Sequence, residues 1–271
     1  MLIRIGYDIE LGVSGPTALI TLLRVHPERQ ADLLGPEEPV IEPDLHVEAY
    51  TDLFGNECSR ITIPAGIDRV RLHHSALIRD HGNPDAQAPR AEQIPVAELP
   101  TDALTYLLPS RYCEVDSPLL DFAWDTFGHL ESGWEKVQAV CDFVHQHLAF
   151  DYLSASMGRT ALRGFEERTG VCRDFTHLAV TLCRCLNIPA RYVTGYLTDI
   201  GVEITSPMDF HAWFQVYLGG QWHTFDARHN TPRIGRIPIG RGRDAADVPI
   251  TMVFGQSYLY RFEVTAEEVA E

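Results

Sequence analysis

The chain has 271 residues, 45% of them apolar, and its 22 Lys and Arg against 38 Asp and Glu give a formal net charge of −16. This acidity opposes nucleic acid and anionic membrane surfaces as partners, because both would repel it. No apolar run reaches the roughly 18 residues of a membrane span, and residues 1–12 lack the basic flank and apolar run of a secretory signal. We therefore expect a cytoplasmic protein, and a length near the upper limit of one core favours two domains.

Residues 1–80 predict an all-β domain. In the segment LIRIGYDIEL, apolar residues at every second position alternate with polar residues or glycine, which is the period of a half-buried strand. Similar short segments follow at 18–25, 45–50, 58–63 and 69–78, separated by turns rich in Gly, Pro, Asn and Asp. We expect these strands to form a β-sandwich. Residues 81–104 contain four prolines and little periodicity, which is typical of a linker or a strap.

Residues 105–271 begin with helical patterns. A helix is predicted in SPLLDFAWDTF, and a second follows a capping-box pattern of Ser132 and Glu135. A third carries an apolar stripe that begins at Cys172, in the segment TGVCRDFTHLAVTLCRCLN. A strand in ARYVTGYL and a hairpin in HAWFQVYLGGQWHTFDA complete the pattern.

The position of Cys172 at a helix N-terminus suggests a nucleophile, because such a position lowers a thiol pKa. If Gly219 and Gly220 form a two-residue turn, His211 and Asp226 become diagonal neighbours on one face of the hairpin. A base and the carboxylate that orients it require this arrangement. A turn one residue longer would put the two side chains on opposite faces.

Several of these residues also have purely structural interpretations. Cys172 could be a buried thiol that only packs at a helix start. Asp174, in the first turn, is best explained as a partner of the helix dipole. Arg233 and Arg236 could bind a substrate carboxylate or form salt bridges that fasten a long loop. Core or surface roles without ligand binding are expected for five histidines: His145, His147, His177, His223 and His229.

The six cysteines are scattered and form no C-x-x-C motif or zinc-ligand pattern. We expect reduced thiols, no structural metal and no cofactor. Cys183 and Cys185 lie two apart on a predicted helix, so they project in different directions and a redox pair is disfavoured.

Three segments together resemble the bacterial transglutaminase-like enzymes of the papain-like cysteine protease superfamily. They are GVCRDFTHLAVTLCRCLNIPARYVTGYL, DFHAWFQVYLGGQWHTFDARHN and TPRIGRIPIGRGRDAADV, and with the preceding helix they cover most of residues 105–250. The resemblance implies that Cys172 is the nucleophile, His211 the base and Asp226 the residue that orients it. It also implies that a Cys172 thiolate paired with His211 attacks an amide carbonyl and forms a thioester.

The resemblance predicts an α+β protein in which an N-terminal β-sandwich precedes a papain-like core, with the helix of Cys172 packed on an antiparallel sheet. The oxyanion would bind the Cys172 backbone N–H and one further donor, for which the candidates are Tyr152, Trp134 and Trp213. We expect hydrolysis of a peptide or protein amide, with acyl transfer to an amine as an alternative. A non-catalytic peptide-binding protein of the same fold is another alternative. A homodimer is compatible with the sequence.

Overall fold

The computed structural model describes residues 1–131, 133–204 and 207–269. The strands are β1 Leu2–Val13, β2 Thr17–Thr21, β3 Val40–Glu42, β4 His46–Thr51, β5 Glu57–Ile63, β6 Arg69–Arg79, β7 Ala149–Phe150, β8 Thr169–Gly170, β9 Ala190–Leu197, β10 His211–Leu218, β11 Gln221–Phe225, β12 Arg236–Gly242, β13 Thr251–Val253 and β14 Ser257–Val269. The α-helices are α1 Pro27–Gln30, α2 Thr101–Leu104, α3 Leu119–Phe127, α4 Gly133–His147, α5 Ala161–Glu167 and α6 Cys172–Cys185. Short 3-10 turns lie at Val96–Glu98, Thr105–Leu107 and Tyr152–Ser154. Ser132, predicted to begin the cap of α4, lies outside the described residues.

The N-terminal domain consists of two four-stranded antiparallel sheets, β14-β1-β6-β3 and β13-β2-β5-β4. The alternation read in β1 is confirmed, because Ile3, Ile5 and Ile9 are fully buried. Their side chains share one core with Leu19 and Ile61 of the second sheet, which makes the arrangement a sandwich. The four segments predicted to follow β1 correspond to β2, β4, β5 and β6.

The assignment of all of residues 105–271 to the catalytic domain was wrong at its C-terminal end. Strand β14 pairs with β1 along its whole length, from Leu2 opposite Val269 to Val13 opposite Ser257, and β13 pairs with β2. The chain therefore leaves the N-terminal sandwich near residue 80 and returns to it at residue 251. The partner strands lie more than 200 positions apart in the sequence, so no local pattern could link them.

A third four-stranded sheet, in the order β11-β10-β9-β12, lies outside the sandwich and supports the helix α6. The apolar stripe of α6 packs on Phe214, Val216 and Leu218 of β10, and α3, α4 and α5 surround its other sides. Gly219 and Gly220 form the expected two-residue turn with φ of 57° and 89°, and Leu218 lies opposite Gln221. The register predicted for the hairpin is confirmed. Among the helices of the described residues, none combines the length and apolar character needed to cross a bilayer.

Residues 81–104 run across the sheet β11-β10-β9-β12 as a strap. The Asp85 carboxylate accepts hydrogen bonds from the Arg233 backbone N–H at 2.9 Å and from Arg236 Nε at 2.9 Å. Further along, the Gly219 N–H donates to the Glu92 carbonyl at 2.9 Å. The strap is therefore tied both to the hairpin turn and to the segment that leads into β12.

Candidate active site

Cys172 is the first residue of α6, where the N–H groups of the opening turn have no partners inside the helix. The Val171 N–H donates to Asp174 Oδ2 at 2.9 Å, and Arg159 Nη1 donates to the same oxygen at 3.0 Å. Asp174 thus accepts a backbone N–H at the start of the helix, in agreement with its predicted place beside the positive end of the helix dipole. Gly170 is required beside it, because a Cβ there would lie 2.6 Å from the Asp174 Cβ. These contacts fix the direction in which Cys172 leaves the helix end.

His211 is the first residue of β10, and Asp226 directly follows the last residue of β11. His211 Nε2 lies 3.2 Å from Asp226 Oδ2, so the sequence-based pairing of these two side chains is present in the structure. An ionised carboxylate only accepts hydrogen bonds, so Nε2 carries the proton and Nδ1 of a neutral imidazole keeps its lone pair. That lone pair is what a general base needs.

The helix and the imidazole approach each other from different faces of the sheet. Phe214 faces α6. His211 and Trp213 lie at odd-numbered positions of β10, so their side chains point to the other face of the sheet. Apart from its first residue, Cys172, the helix α6 therefore lies on the opposite side of the sheet from the His211 ring. The start of α6 and the ring meet at the end of the sheet. There Cys172 and His211 line one small cleft of about 50 Å³, and the Ala212 N–H lies where it favours the charged form of the thiol.

Asp226 is buried and receives donors at both oxygens. Arg236 Nη2 and His229 Nδ1 donate to Oδ2 at 2.9 and 3.0 Å, beside His211. The backbone N–H groups of Arg228 and His229 donate to Oδ1 at 3.0 and 3.1 Å. Burial opposes the carboxylate charge, but Arg236 and the imidazoles outweigh it and hold the pKa of Asp226 well below its usual range. The carboxylate is therefore ionised at every pH at which the protein would work.

The surroundings disfavour charge on both Cys172 and His211. Burial, reinforced by the nearby Asp209, raises the pKa of the Cys172 thiol to about 11. Burial also lowers the pKa of His211 to about 4, although Asp226 acts in the opposite direction. The resemblance had implied a thiolate paired with an imidazolium. These electrostatics instead favour a neutral thiol beside a neutral imidazole.

Of the three side chains considered as oxyanion donors, the structure brings one to the cleft. Tyr152 lines it together with Cys172. Trp134 instead packs in the core between α4 and β11, with its ring 4.5 Å from that of Phe225. Trp213 lines a separate cavity of about 420 Å³ on the strap side of the sheet.

The two arginines considered for substrate binding make internal ion pairs. Arg236 bridges Asp85 of the strap and Asp226. Arg233 donates to the Thr198 carbonyl at 2.8 Å and to Asp199 at 3.2 Å, and its side chain also reaches the cleft. The alternative in which these arginines fasten a loop is the one that the structure supports.

His229 is a site residue to which the sequence interpretation gave no role at the site. Arg228 Nη1 lies 2.7 Å from His229 Nε2, and since a guanidinium only donates, Nδ1 carries the proton that His229 gives to Asp226. The His229 and His211 rings lie 4.7 Å apart. The sequence interpretation gave His229 only a core or surface role, and the structure brings its ring against Asp226 and His211. The only available signal was its position three residues after Asp226.

A metal could be held only at the cost of this network. His211, Asp226 and His229 place three ligand atoms within 4.8 Å of one another. Both imidazole nitrogens that face Asp226 carry protons, and Arg236 shares the same oxygen. Metal binding would require the two protons and the guanidinium to leave, so the hydrogen bonds account for the cluster as it stands.

Comparisons with known proteins place this site in a family. The family model described as Transglutaminase-like superfamily matches residues 122–227, a range that contains Cys172, His211 and Asp226. The crystal structure of a "putative cysteine protease" from Cytophaga hutchinsonii superimposes with a TM-score of 0.86 at 31% identity, covering 100% of this chain and 91% of that one.

Two curated proteins match over shorter stretches. An uncharacterised protein of Mycobacterium leprae is 36% identical over 104 residues, which is 36% of this chain and 37% of that protein. The kyphoscoliosis peptidase of Mus musculus is 25% identical over 162 residues, covering 55% of this chain and 24% of that protein. The chain thus matches little more than a third of the length of the first of these relatives. Together the family match and the whole-chain structural match support a thiol-dependent enzyme, and the chain belongs to the transglutaminase-like superfamily.

Proposed function

We propose that the protein hydrolyses an amide bond through an acyl thioester on Cys172, with His211 as general base and acid and Asp226 as the residue that orients it. The observation that carries the proposal is the His211–Asp226 hydrogen bond of 3.2 Å beside a cleft that also contains Cys172. Amide attack by a thiol requires a base next to the nucleophile and a group that fixes the base.

In the first half-reaction, the Cys172 thiol proton passes to His211 Nδ1 as sulfur attacks the carbonyl carbon. The tetrahedral oxyanion accepts hydrogen bonds from the Cys172 N–H and from Tyr152 as the candidate second donor. Collapse breaks the C–N bond, and His211 returns its proton to the departing amine. In the second half, His211 takes a proton from water, hydroxide oxygen attacks the thioester, and the thiol leaves with that proton.

The resting charges support the role that we propose for Asp226. Since thiol and imidazole start neutral, the thiolate character and the imidazolium develop together during attack. Asp226 is already ionised and hydrogen-bonded to the imidazole, so it stabilises the positive charge as it forms, without reorganisation. Arg228, which also lines the cleft, favours the negative charge on sulfur.

The proposal extends to a peptide or protein substrate and to a cytoplasmic location. All six cysteines are free thiols, which suits a reducing compartment. Hydrolysis is favoured over transfer to an amine because water is the abundant acceptor there. A transfer reaction differs only in the second half, where an amine replaces water.

Trapping of the acyl group tests the mechanism. The variant Asp226→Asn keeps the side-chain shape and, in its one remaining oxygen, an acceptor for the Arg228 and His229 N–H groups. It replaces Oδ2 by an NH2 group and removes the charge that stabilises the imidazolium. With p-nitrophenyl acetate, we expect one acetyl group to accumulate on Cys172 of this variant, detected by peptide mass spectrometry. The wild-type protein should release acetate with turnover, and Cys172→Ser should show neither result.

The choice of acceptor for the thioester, water or an amine, distinguishes a hydrolase from a transferase. Added methylamine should leave acetate as the main product if the enzyme is a hydrolase, whereas dominant N-methylacetamide would identify a transferase. Absence of acetate release by the wild-type protein, together with absence of acetylation at Cys172 of Asp226→Asn, would refute the thiol mechanism and favour a non-catalytic binding protein.

A further inference from the structure

A groove beside the Cys172 cleft runs along the edge of the N-terminal sandwich. We call it the edge groove; it has a volume of about 550 Å³ and lies between residues 198–208, as far as they are described, and residues 264–268 of β14. Asp199, Pro207 and Met208 line both the edge groove and the cleft. The groove therefore adjoins the cleft that contains Cys172.

Strand β14 offers an open edge to this groove. Within the described part of the chain, it pairs with β1 on one side and with no strand on the other. Alternate residues of such an edge direct their N–H and C=O groups away from the sheet. Five consecutive residues, 264–268, line the groove. Since successive side chains point to opposite faces, contact with all five means that the groove follows the strand edge rather than one face.

The side chains around the groove define what would fit there. Ile200, Ile204 and Met208 give the loop wall an apolar character, and Ile204 is 75% exposed. Val264 and Ala266 form a buried apolar base on the β14 side. Such a wall opposite an open strand edge suits the alternating side chains of an extended peptide.

The charge of the groove is acidic. Asp199 is paired with Arg233 and Glu267 with Arg4, whereas Glu268 makes no ion pair among the described residues. The groove also belongs to a chain with a net charge of −16. A peptide with basic residues between its apolar ones is therefore favoured over an acidic one.

We propose that the edge groove binds the substrate as an extended peptide strand that adds to the open edge of β14, with apolar side chains against Ile204 and Met208 and basic residues next to Glu268. The statement that the bound peptide is the acyl donor rests on the amide chemistry proposed above. Main-chain hydrogen bonds to β14 hold the peptide in register, and the apolar wall selects its side chains. Because the groove adjoins the cleft, a peptide bound along it has its scissile amide next to Cys172.

The test uses Cys172→Ala, which prevents turnover, and a pool of hexapeptides blocked at both ends that alternate Leu or Val with Lys. Hydrogen–deuterium exchange of residues 264–268 should slow when the pool is added. A pool with Glu in place of Lys should bind more weakly, and a pool N-methylated at every backbone amide should give no protection, because strand addition needs N–H groups on the peptide edge that faces β14.

Two substitutions of the same kind locate the binding. In the Cys172→Ala background, Ile204→Asp should weaken binding at least about tenfold, because it places a charge on the apolar wall. Leu259→Asp, on an exposed part of β14 outside the groove, should change binding by less than about twofold. Equal binding of both variants, or full protection by the N-methylated pool, would overturn the proposal. Protection of residues 264–268 that rises with protein concentration alone would assign the edge to a second copy of the chain and also overturn it.

The proposed thiol mechanism and the proposed peptide binding in the edge groove can be tested separately. Acetylation of wild-type Cys172 by p-nitrophenyl acetate requires no peptide, so it reports on the thiol mechanism alone. Acetylation without peptide protection would reject the groove and leave the mechanism. Peptide protection without acetylation would support the groove as a peptide site while rejecting its role in presenting an acyl donor.

Discussion

The resting charge of Cys172 can be read from the pH dependence of its alkylation. With a thiol pKa of about 11, about one molecule in 10,000 carries the thiolate at pH 7. That fraction rises about tenfold for each pH unit until the pKa is approached, and iodoacetamide reacts with the thiolate. We therefore expect the alkylation rate of Cys172 to rise about tenfold per unit between pH 6 and 9.

The measurement is a set of iodoacetamide time courses, followed by peptide mass spectrometry that assigns the label to each cysteine. The other five cysteines are buried, so Cys172 should be labelled first at every pH. Asp209→Asn keeps the acceptor for the Phe210 N–H and removes a negative charge that disfavours the thiolate. This variant should react faster than the wild-type protein at the same pH. A rate that is constant from pH 6 to 8 and falls in His211→Ala would show an ion pair and refute the neutral resting state.

Two further predictions concern stability. Burial raises the pKa of Glu37 to about 7 in the folded protein from an ordinary value near 4.5, so the folded state retains a proton that the unfolded state loses. Stability should fall by up to about 3 kcal/mol as the pH rises from 4.5 to 7, and urea denaturation of Glu37→Gln should show a flatter profile over that window. Arg236→Met leaves the buried Asp226 and the partly buried Asp85 without their cation and should cost about 3–5 kcal/mol. Arg60→Met breaks only the exposed pair with Glu48 and should cost less than about 1 kcal/mol, so equal losses in the two arginine variants would contradict the network described around Asp226.

Local patterns were sufficient to predict the elements that carry the site. The stripe that begins at Cys172 located the start of α6, and the Gly219–Gly220 turn fixed the register that brings His211 to Asp226. Both inferences depend on residues within about 20 positions of one another, over which periodicity and turn geometry constrain the chain.

The features that could not be predicted depend on the path of the chain beyond those patterns. The pairing of β14 with β1 joins the two ends of the described chain. His229 reaches Asp226 because the chain turns immediately after β11, where the Asn230 N–H donates to the Asp226 carbonyl at 2.8 Å and Asn230 adopts φ of 53°. No periodic pattern in the sequence predicts the direction of that turn. The same holds for the placement of His211 on the face of the sheet opposite to α6.

The location of Asp226 just beyond a strand explains how one carboxylate serves so many donors. A residue inside a ladder has neighbours on both sides and little freedom to collect backbone N–H groups, whereas the turn after β11 supplies two of them to Oδ1. This leaves Oδ2 for His211, His229 and Arg236. Because Arg236 also binds Asp85, the strap contributes to the electrostatics of the base through a single side chain. Residues 81–104 thus belong to the catalytic apparatus that we propose as well as to the connection between domains, since removing Asp85 would free Arg236 to pair more closely with Asp226 and weaken the hold of that carboxylate on His211.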